Sequence, residues 1–181
     1  MLQFGEAGRG DQAMSNQSPE LSWMQEAYKH NGLKENTSRK QHNPTILNWL
    51  KELKAWWSED ETPWCGVFVA ICLKRAGIEY PSAFYRALAY RDDKKKLAKP
   101  AYGCIATKTR QGGGHVFFVV GKTSSGKIVG YGGNQNNSVS YALFESSDLE
   151  YYWYGKTNAP AALRYNLPLI KNVSATKVTE A

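Results

Sequence analysis

The chain has 181 residues, enough for one domain with a single substantial core and flanking tails. Its composition is ordinary for a globular protein, 42% apolar and 22% charged, and no apolar run approaches the ~20 residues that a membrane span needs, which excludes insertion by a helix. A net charge of +7 points to an anionic partner. An acidic cell-wall polymer ranks before nucleic acid, because no nucleic-acid-binding motif accompanies the charge.

In chain order, Met1–Gln17 is polar and glycine-rich with no apolar signal-peptide core. It reads as a flexible lead-in to a domain over residues 18–156, with an extension or tail over 157–181. Ser18-Pro19-Glu20-Leu21 predicts a helix start, Ser18 capping it and Pro19 in its first turn. Leu21, Met24, Ala27 and Tyr28 keep helical spacing up to the stop at Asn31-Gly32. The polar stretch Asn36–His42 gives way at Asn43-Pro44 to a second helix carrying Ile46, Leu47, Trp49, Leu50 and Leu53, closed by Trp56-Trp57-Ser58. After the acidic loop Glu59–Glu61, Thr62 reads as an N-cap and Pro63 as the first residue of a third helix that runs to Ala76, with Gly77 at its end. Cys65, Phe68, Val69, Cys72, Leu73 and Ala76 recur at steps of three and four, so this helix is expected to pack along one face. Pro81–Lys99 reads as helix then loop, with Arg91–Lys96 as a solvated helix end.

From Tyr102 the period becomes strand-like. The expected strands are Gly103–Thr109, His115–Lys122, Lys127–Asn134, Ser138–Phe144 and Leu149–Tyr154, joined by Gly- and Ser-rich turns. A helical half followed by antiparallel strands is an α+β pattern.

Cys65 falls in a first helical turn, where unpaired N–H groups and the helix dipole favour an anion and ease ionisation of a thiol. Fifty residues later, Gly112-Gly113-Gly114-His115 presents an imidazole at the start of a strand. A cysteine on a helix start and a histidine on a strand start suit nucleophilic acyl chemistry, in which the imidazole activates the thiol and protonates the leaving group. A third group should orient the imidazole. If the hairpin turns at Ser124-Ser125, Asn134 lies opposite His115, and a one-residue slip puts Gln135 there instead. Trp64 is placed either to shape a substrate groove or to pack the core, and Gly112–Gly114 would let a substrate backbone approach His115. Cys72 and Cys104 read as core residues, and His30 and His42 as surface residues. No cysteine or histidine spacing suits a metal, and no cofactor is expected.

Three segments together carry a family resemblance. Asp60-Glu61-Thr62-Pro63-Trp64-Cys65, with Phe68-Val69 and Lys74-Arg75-Ala76-Gly77-Ile78, resembles the nucleophile segment of papain-like cell-wall hydrolases of the CHAP and NlpC types. Gly113-Gly114-His115-Val116 with Phe118-Val119-Val120-Gly121 resembles their histidine strand, and Gly132-Gly133-Asn134-Gln135 with Val139-Ser140 the segment after it. Gly32-Leu33-Lys34-Glu35 and His42-Asn43-Pro44-Thr45-Ile46 resemble the lead-in of a subgroup found in phage endolysins and secreted antibacterial effectors.

The resemblance implies a papain-like α+β fold, with N-terminal helices packed on a five- to six-stranded antiparallel sheet. It implies cleavage of an amide bond in peptidoglycan, as a stem-peptide endopeptidase or an N-acetylmuramoyl-L-alanine amidase. Cys65 would be the nucleophile, His115 the general base and Asn134 the third member, with Trp64, Gly114 and Gln135 near the substrate. The implied partners are peptidoglycan and an immunity protein that plugs the groove. The implied setting is a monomer, made in the cytoplasm and acting in the wall of a target bacterium after delivery or lysis. Two departures stand out: Phe117, where the subgroup usually has a small residue, and Arg39-Lys40 in place of a glycine. A catalytically silent wall-binding module and a thiol transamidase or deamidase are the competing readings.

Overall fold

The computed structural model describes residues 19–35, 43–56 and 63–171. Ser18, Arg39-Lys40, His42, Trp57–Thr62 and Ser174–Ala181, on which some of the expectations above fall, lie outside the described residues. Helix α1 spans Ser22–Tyr28, α2 Pro44–Glu52 and α3 Cys65–Arg75. The strands are β1 Lys96–Leu97, β2 Ile105–Arg110, β3 Gly113–Lys122, β4 Ile128–Gln135, β5 Ser138–Phe144 and β6 Leu149–Tyr152. They form one sheet in the order β1-β6-β2-β3-β4-β5, antiparallel throughout. The expected α+β class and strand number are therefore observed.

Local sequence explains much of this. Asn43 caps α2 as its position predicts: its side-chain oxygen accepts from the N–H groups of Thr45 and Ile46, and Pro44 fills the first helical position. Other helix limits differ from expectation. Helix α1 starts at Ser22, so Pro19 precedes it, and Leu21 at its N-cap gives no side-chain bond. Helix α2 stops at Glu52, because Lys54 takes a positive φ of 57°, and Trp56 lies beyond it, exposed. The expected helix after Pro81 is absent. Two short 3-10 turns, Ala87–Tyr90 and Asp93–Lys95, stand there, and the charge run ends in the edge strand β1. Its two ends are engaged. Arg91 donates to the Thr107 and Thr109 hydroxyls, and Lys96 pairs with Glu150.

Helix α3 is the centre of the core. Residues Cys65–Leu73 are all buried, rather than one face only, because α1 and α2 lie against it on one side and β3 and β4 on the other. Phe68 is fully buried, its ring centroid 5.8 Å from that of Trp49 and 6.2 Å from those of Phe118 and Tyr131. Burial of such a side chain contributes about 2–3 kcal/mol. The helices are also tied by charge. Glu26 on α1 accepts from His30 at 2.8 Å and from Arg75 on α3 at 2.8 Å, and Arg75 reaches Glu52 on α2 at 2.9 Å. His30 is thus no surface residue: its side chain is 14% exposed and its ring stands edge-on to Trp49. Residues 157–171 dock onto the domain. Pro168 and Ile170 bond the backbone of Lys122 at the end of β3, and Arg164 accepts from the Tyr102 N–H.

Candidate active site

Cys65 is the first residue of α3, preceded by Trp64 at the N-cap. Pro63 therefore stands outside the helix, one step before the cap, and Trp64 makes no side-chain cap bond. The nucleophile candidate keeps its place in the first turn. The adjoining Gly66 explains how the turn is held. A Cβ there would overlap the carbonyl oxygen of Phe84, so the chain at Phe84–Tyr85 lies directly on the helix start. The buried Tyr90 hydroxyl then donates to the Gly66 carbonyl at 2.7 Å, and Tyr154 donates to the Tyr90 carbonyl at 2.8 Å.

His115 sits near the start of β3, which begins at Gly113, two residues earlier than expected. Arg110 pairs with Gly113, so β2 and β3 join through the two-residue turn Gln111-Gly112, where Gly112 takes φ +83°. The His115 imidazole, 1% exposed, lies beside Phe117 and Phe144, ring centroids 5.5 and 5.9 Å away, and those two phenyl rings stack at 4.1 Å. Phe117 is accommodated by glycines on the neighbouring strand. A Cβ on Gly130 or Gly132 would collide with its side chain. Phe117 is thus a buried wall for the imidazole, lying under the histidine.

The structure places the His115 imidazole within interaction range of the Cys65 thiol. Burial pushes the Cys65 thiol up. The His115 imidazole, the Val116 backbone N–H and the nearby Arg110 charge outweigh that, so the thiol is held below its ordinary value of 9.0. The other two thiols, on Cys72 and Cys104, are free and fully buried, and burial raises both, Cys104 to about 12. Acidification is thus selective for the thiol on the helix start.

The residue that faces the imidazole is Gln135, not Asn134. The register expected from a turn centred on Ser124-Ser125 is observed at Phe118–Tyr131 and Val119–Gly130. It points Asn134 at His115 only if β4 keeps its regular alternation. Asn134 instead takes φ +60°, and the pairing of β4 with β5 shifts between Gly132 and Gln135. This bulge adds one residue and rolls the Gln135 side chain onto the His115 face. His115 Nε2 lies 3.1 Å from Gln135 Oε1, and Gln135 Nε2 donates to the Ser140 carbonyl at 2.6 Å. The Ser140 carbonyl can only accept, which fixes the Gln135 amide. Its oxygen can only accept in turn, so His115 Nε2 carries the proton and Nδ1 is left for the thiol. Gln135 is held at its backbone as well, its carbonyl accepting from the hydroxyls of Ser138 and Ser140 at 2.9 Å. The Asn134 side-chain oxygen is buried with no hydrogen-bond partner.

Beside Cys65 opens a groove of about 750 Å³. Tyr85, Arg86 and Leu88 line one wall, and Arg110 with the Gln111–Gly114 turn the other. Gly114 lines it, and its missing side chain makes room for Leu88, which a Cβ would meet at 2.5 Å. Gly112 and Gly113 face open space. Trp64 is 1% exposed and packs against Trp49 and the Gly133 backbone, so its place is in the core rather than on the groove. Sequence reasoning missed Tyr85, Arg86, Leu88 and Arg110. The one available signal was Arg110, which stands at the mouth of the hairpin that carries His115. Among the described residues no group of three His, Cys, Asp or Glu side chains is placed to hold a metal ion.

Comparison with family models, with curated proteins and with solved structures yields no match.

Proposed function

We propose that this chain is a papain-like cysteine hydrolase of the CHAP or NlpC type that cleaves an amide bond in the peptidoglycan stem peptide. The observation that carries the reading is the juxtaposition of Cys65 at a helix start with His115 near a strand start, with the imidazole bonded to Gln135 and a groove open beside the sulfur. Motif order supports the wall as substrate, as does the net charge of +7, which favours encounter with an anionic polymer.

In this mechanism the Cys65 S–H proton passes to His115 Nδ1, and the resulting thiolate attacks the scissile carbonyl carbon as the C=O electron pair moves onto oxygen. The Cys65 backbone N–H, an unpaired donor of the first helical turn, faces the developing oxyanion. His115 delivers its Nδ1 proton to the departing amine as the C–N bond breaks, leaving a thioester. It then takes a proton from water, whose oxygen attacks the thioester and returns the thiolate. Gln135 is a positioning residue. It keeps the proton on Nε2 and aims Nδ1 at the sulfur through both half-reactions. No cofactor enters the scheme. Delivery into a target wall, as a secreted antibacterial effector or a phage endolysin, and neutralisation by a groove-blocking immunity protein complete the proposal.

The test is digestion of purified sacculi by the full chain, with the soluble fragments read by mass spectrometry. Release of fragments carrying one new amine and one new carboxylate, abolished by Cys65→Ala and by His115→Ala, is the expected result. Digestion that survives Cys65→Ala would sink the mechanism. Wall affinity without any fragment release would instead assign a binding module.

A further inference from the structure

One short turn touches both halves of the candidate site. The 3-10 turn Ala87–Tyr90 ends in Tyr90, which is fully buried and donates its hydroxyl to the Gly66 carbonyl at 2.7 Å. Gly66 is the residue after Cys65. Two positions back in the same turn, Leu88 lies over Gly114, the residue before His115, so closely that a Cβ on Gly114 would stand 2.5 Å from its side chain. The turn thus grips the neighbour of the sulfur with one side chain and the neighbour of the imidazole with another. It is itself pinned from behind. Tyr154 donates to the Tyr90 carbonyl at 2.8 Å, and the two rings lie 5.9 Å apart.

The start of α3 needs such a hold. Trp64 at the N-cap gives no side-chain bond, no acidic residue stands in the first turn, and the second residue is glycine, a weak helix former. That glycine is imposed by the Phe84 carbonyl, which leaves no room for a Cβ. A carbonyl oxygen has two lone pairs, so Gly66 can keep its helical bond and accept from Tyr90 as well. Burial pushes the Tyr90 hydroxyl well above its ordinary value of 10.0, so it stays protonated and donates throughout the range in which the thiol ionises.

We propose that the turn Ala87–Tyr90 is a bracket that sets the spacing of Cys65 and His115, with Tyr90 and Leu88 as positioning residues. Neither touches the reacting atoms. Each acts through the residue next to one of them. Loosening either arm lets sulfur and imidazole drift apart, so the thiol loses the help of the imidazole while its burial remains. The catalytic consequence rests on the cysteine-hydrolase reading; the effect on the sulfur does not.

Alkylation of Cys65 by iodoacetamide reads the spacing without requiring hydrolysis. The rate is measured against pH on the full chain, by mass spectrometry of the Cys65 peptide, well below the Tm of each variant. Tyr90→Phe keeps the ring and deletes one bond, and Leu88→Ala empties the contact over Gly114. In both, the inflexion should move up toward the ordinary thiol value of 9.0. Tyr154→Phe deletes the bond behind the turn, so it should lower Tm and leave the inflexion in place. An inflexion unmoved in Tyr90→Phe or in Leu88→Ala, which is what a merely structural role gives, overturns the proposal, as does an equal shift in Tyr154→Phe. On stem peptides, Tyr90→Phe should lower kcat about tenfold, the weight of one hydrogen bond, with KM little changed. An unchanged kcat overturns the bracket and leaves the hydrolase reading intact. Shifted alkylation profiles with no cleavage by the parent chain support the bracket and overturn the hydrolase reading.

Discussion

Replacing Gln135 by alanine separates an oriented imidazole from one that is only nearby. Gln135 is fully buried and makes two side-chain bonds, to His115 Nε2 at 3.1 Å and to the Ser140 carbonyl at 2.6 Å. Gln135→Ala removes the partner of a buried ring N–H and of the half-buried Ser140 carbonyl, at about 1–3 kcal/mol each, so a stability loss of about 2–6 kcal/mol is expected in chemical denaturation. The catalytic cost is a separate quantity. A hydrogen bond to an imidazole that becomes charged contributes about 1.5–3 kcal/mol, so kcat/KM should fall about 10- to 100-fold. The pH profile of Cys65 alkylation should move as well, because the imidazole is then free to turn away from the sulfur. A purely structural role would leave that profile in place. The control is Asn134→Gly. Glycine suits φ +60° and removes a buried oxygen that has no partner, so activity should stay within about threefold of the parent. The reasoning is refuted if Asn134→Gly matches the loss in Gln135→Ala, or if Gln135→Ala retains full kcat/KM.

Three further outcomes are expected. In the parent chain the inflexion of Cys65 alkylation lies below the ordinary thiol value of 9.0. In His115→Ala the loss of the imidazole leaves burial dominant, so the inflexion moves up; an unchanged profile would show that His115 does not act on the sulfur. Gly66→Ala puts a Cβ into the Phe84 carbonyl and should cost about 1–3 kcal/mol by overpacking, with Tm and kcat/KM falling together as the groove wall at Arg86 shifts. Glu26 is pushed up by burial, but bonds to Arg75, His30 and Lys29 bring it down to about 2, below its ordinary 4.5. Its stabilisation of about 3 kcal/mol is present above about pH 4.5 and fades as pH falls toward 2, so Glu26→Gln should lower stability at pH 7 and change it little at pH 2, measured by urea denaturation.

The α+β class, five of the six strands, the helix start at Asn43-Pro44 and the placing of Cys65 at a helix start and His115 near a strand start were legible in the chain, because each follows from near neighbours. Period two against period 3.6 marks the change of element, an Asn-Pro pair marks a helix start, and a cysteine at the start of an apolar helix marks its own environment. The expected β3–β4 pairs Phe118–Tyr131 and Val119–Gly130 are present, but the turn itself centres on Ser125 and a bulge between Val119 and Gly121 restores that register. What remained hidden depends on contacts distant in sequence. The bulge at Asn134 comes from how β4 pairs with β5, and it alone decides that Gln135 reaches His115. Burial of α3 on every side depends on α1 and α2 closing over it, and His30 becomes part of an ion network only when Arg75 is brought beside Glu26. Arg86 and Arg110 stand 24 positions apart in sequence and line one groove only once the Phe84 carbonyl has settled on Gly66. Local pattern is written in local sequence. Which side chains converge is set by packing, which depends on many distant residues at once.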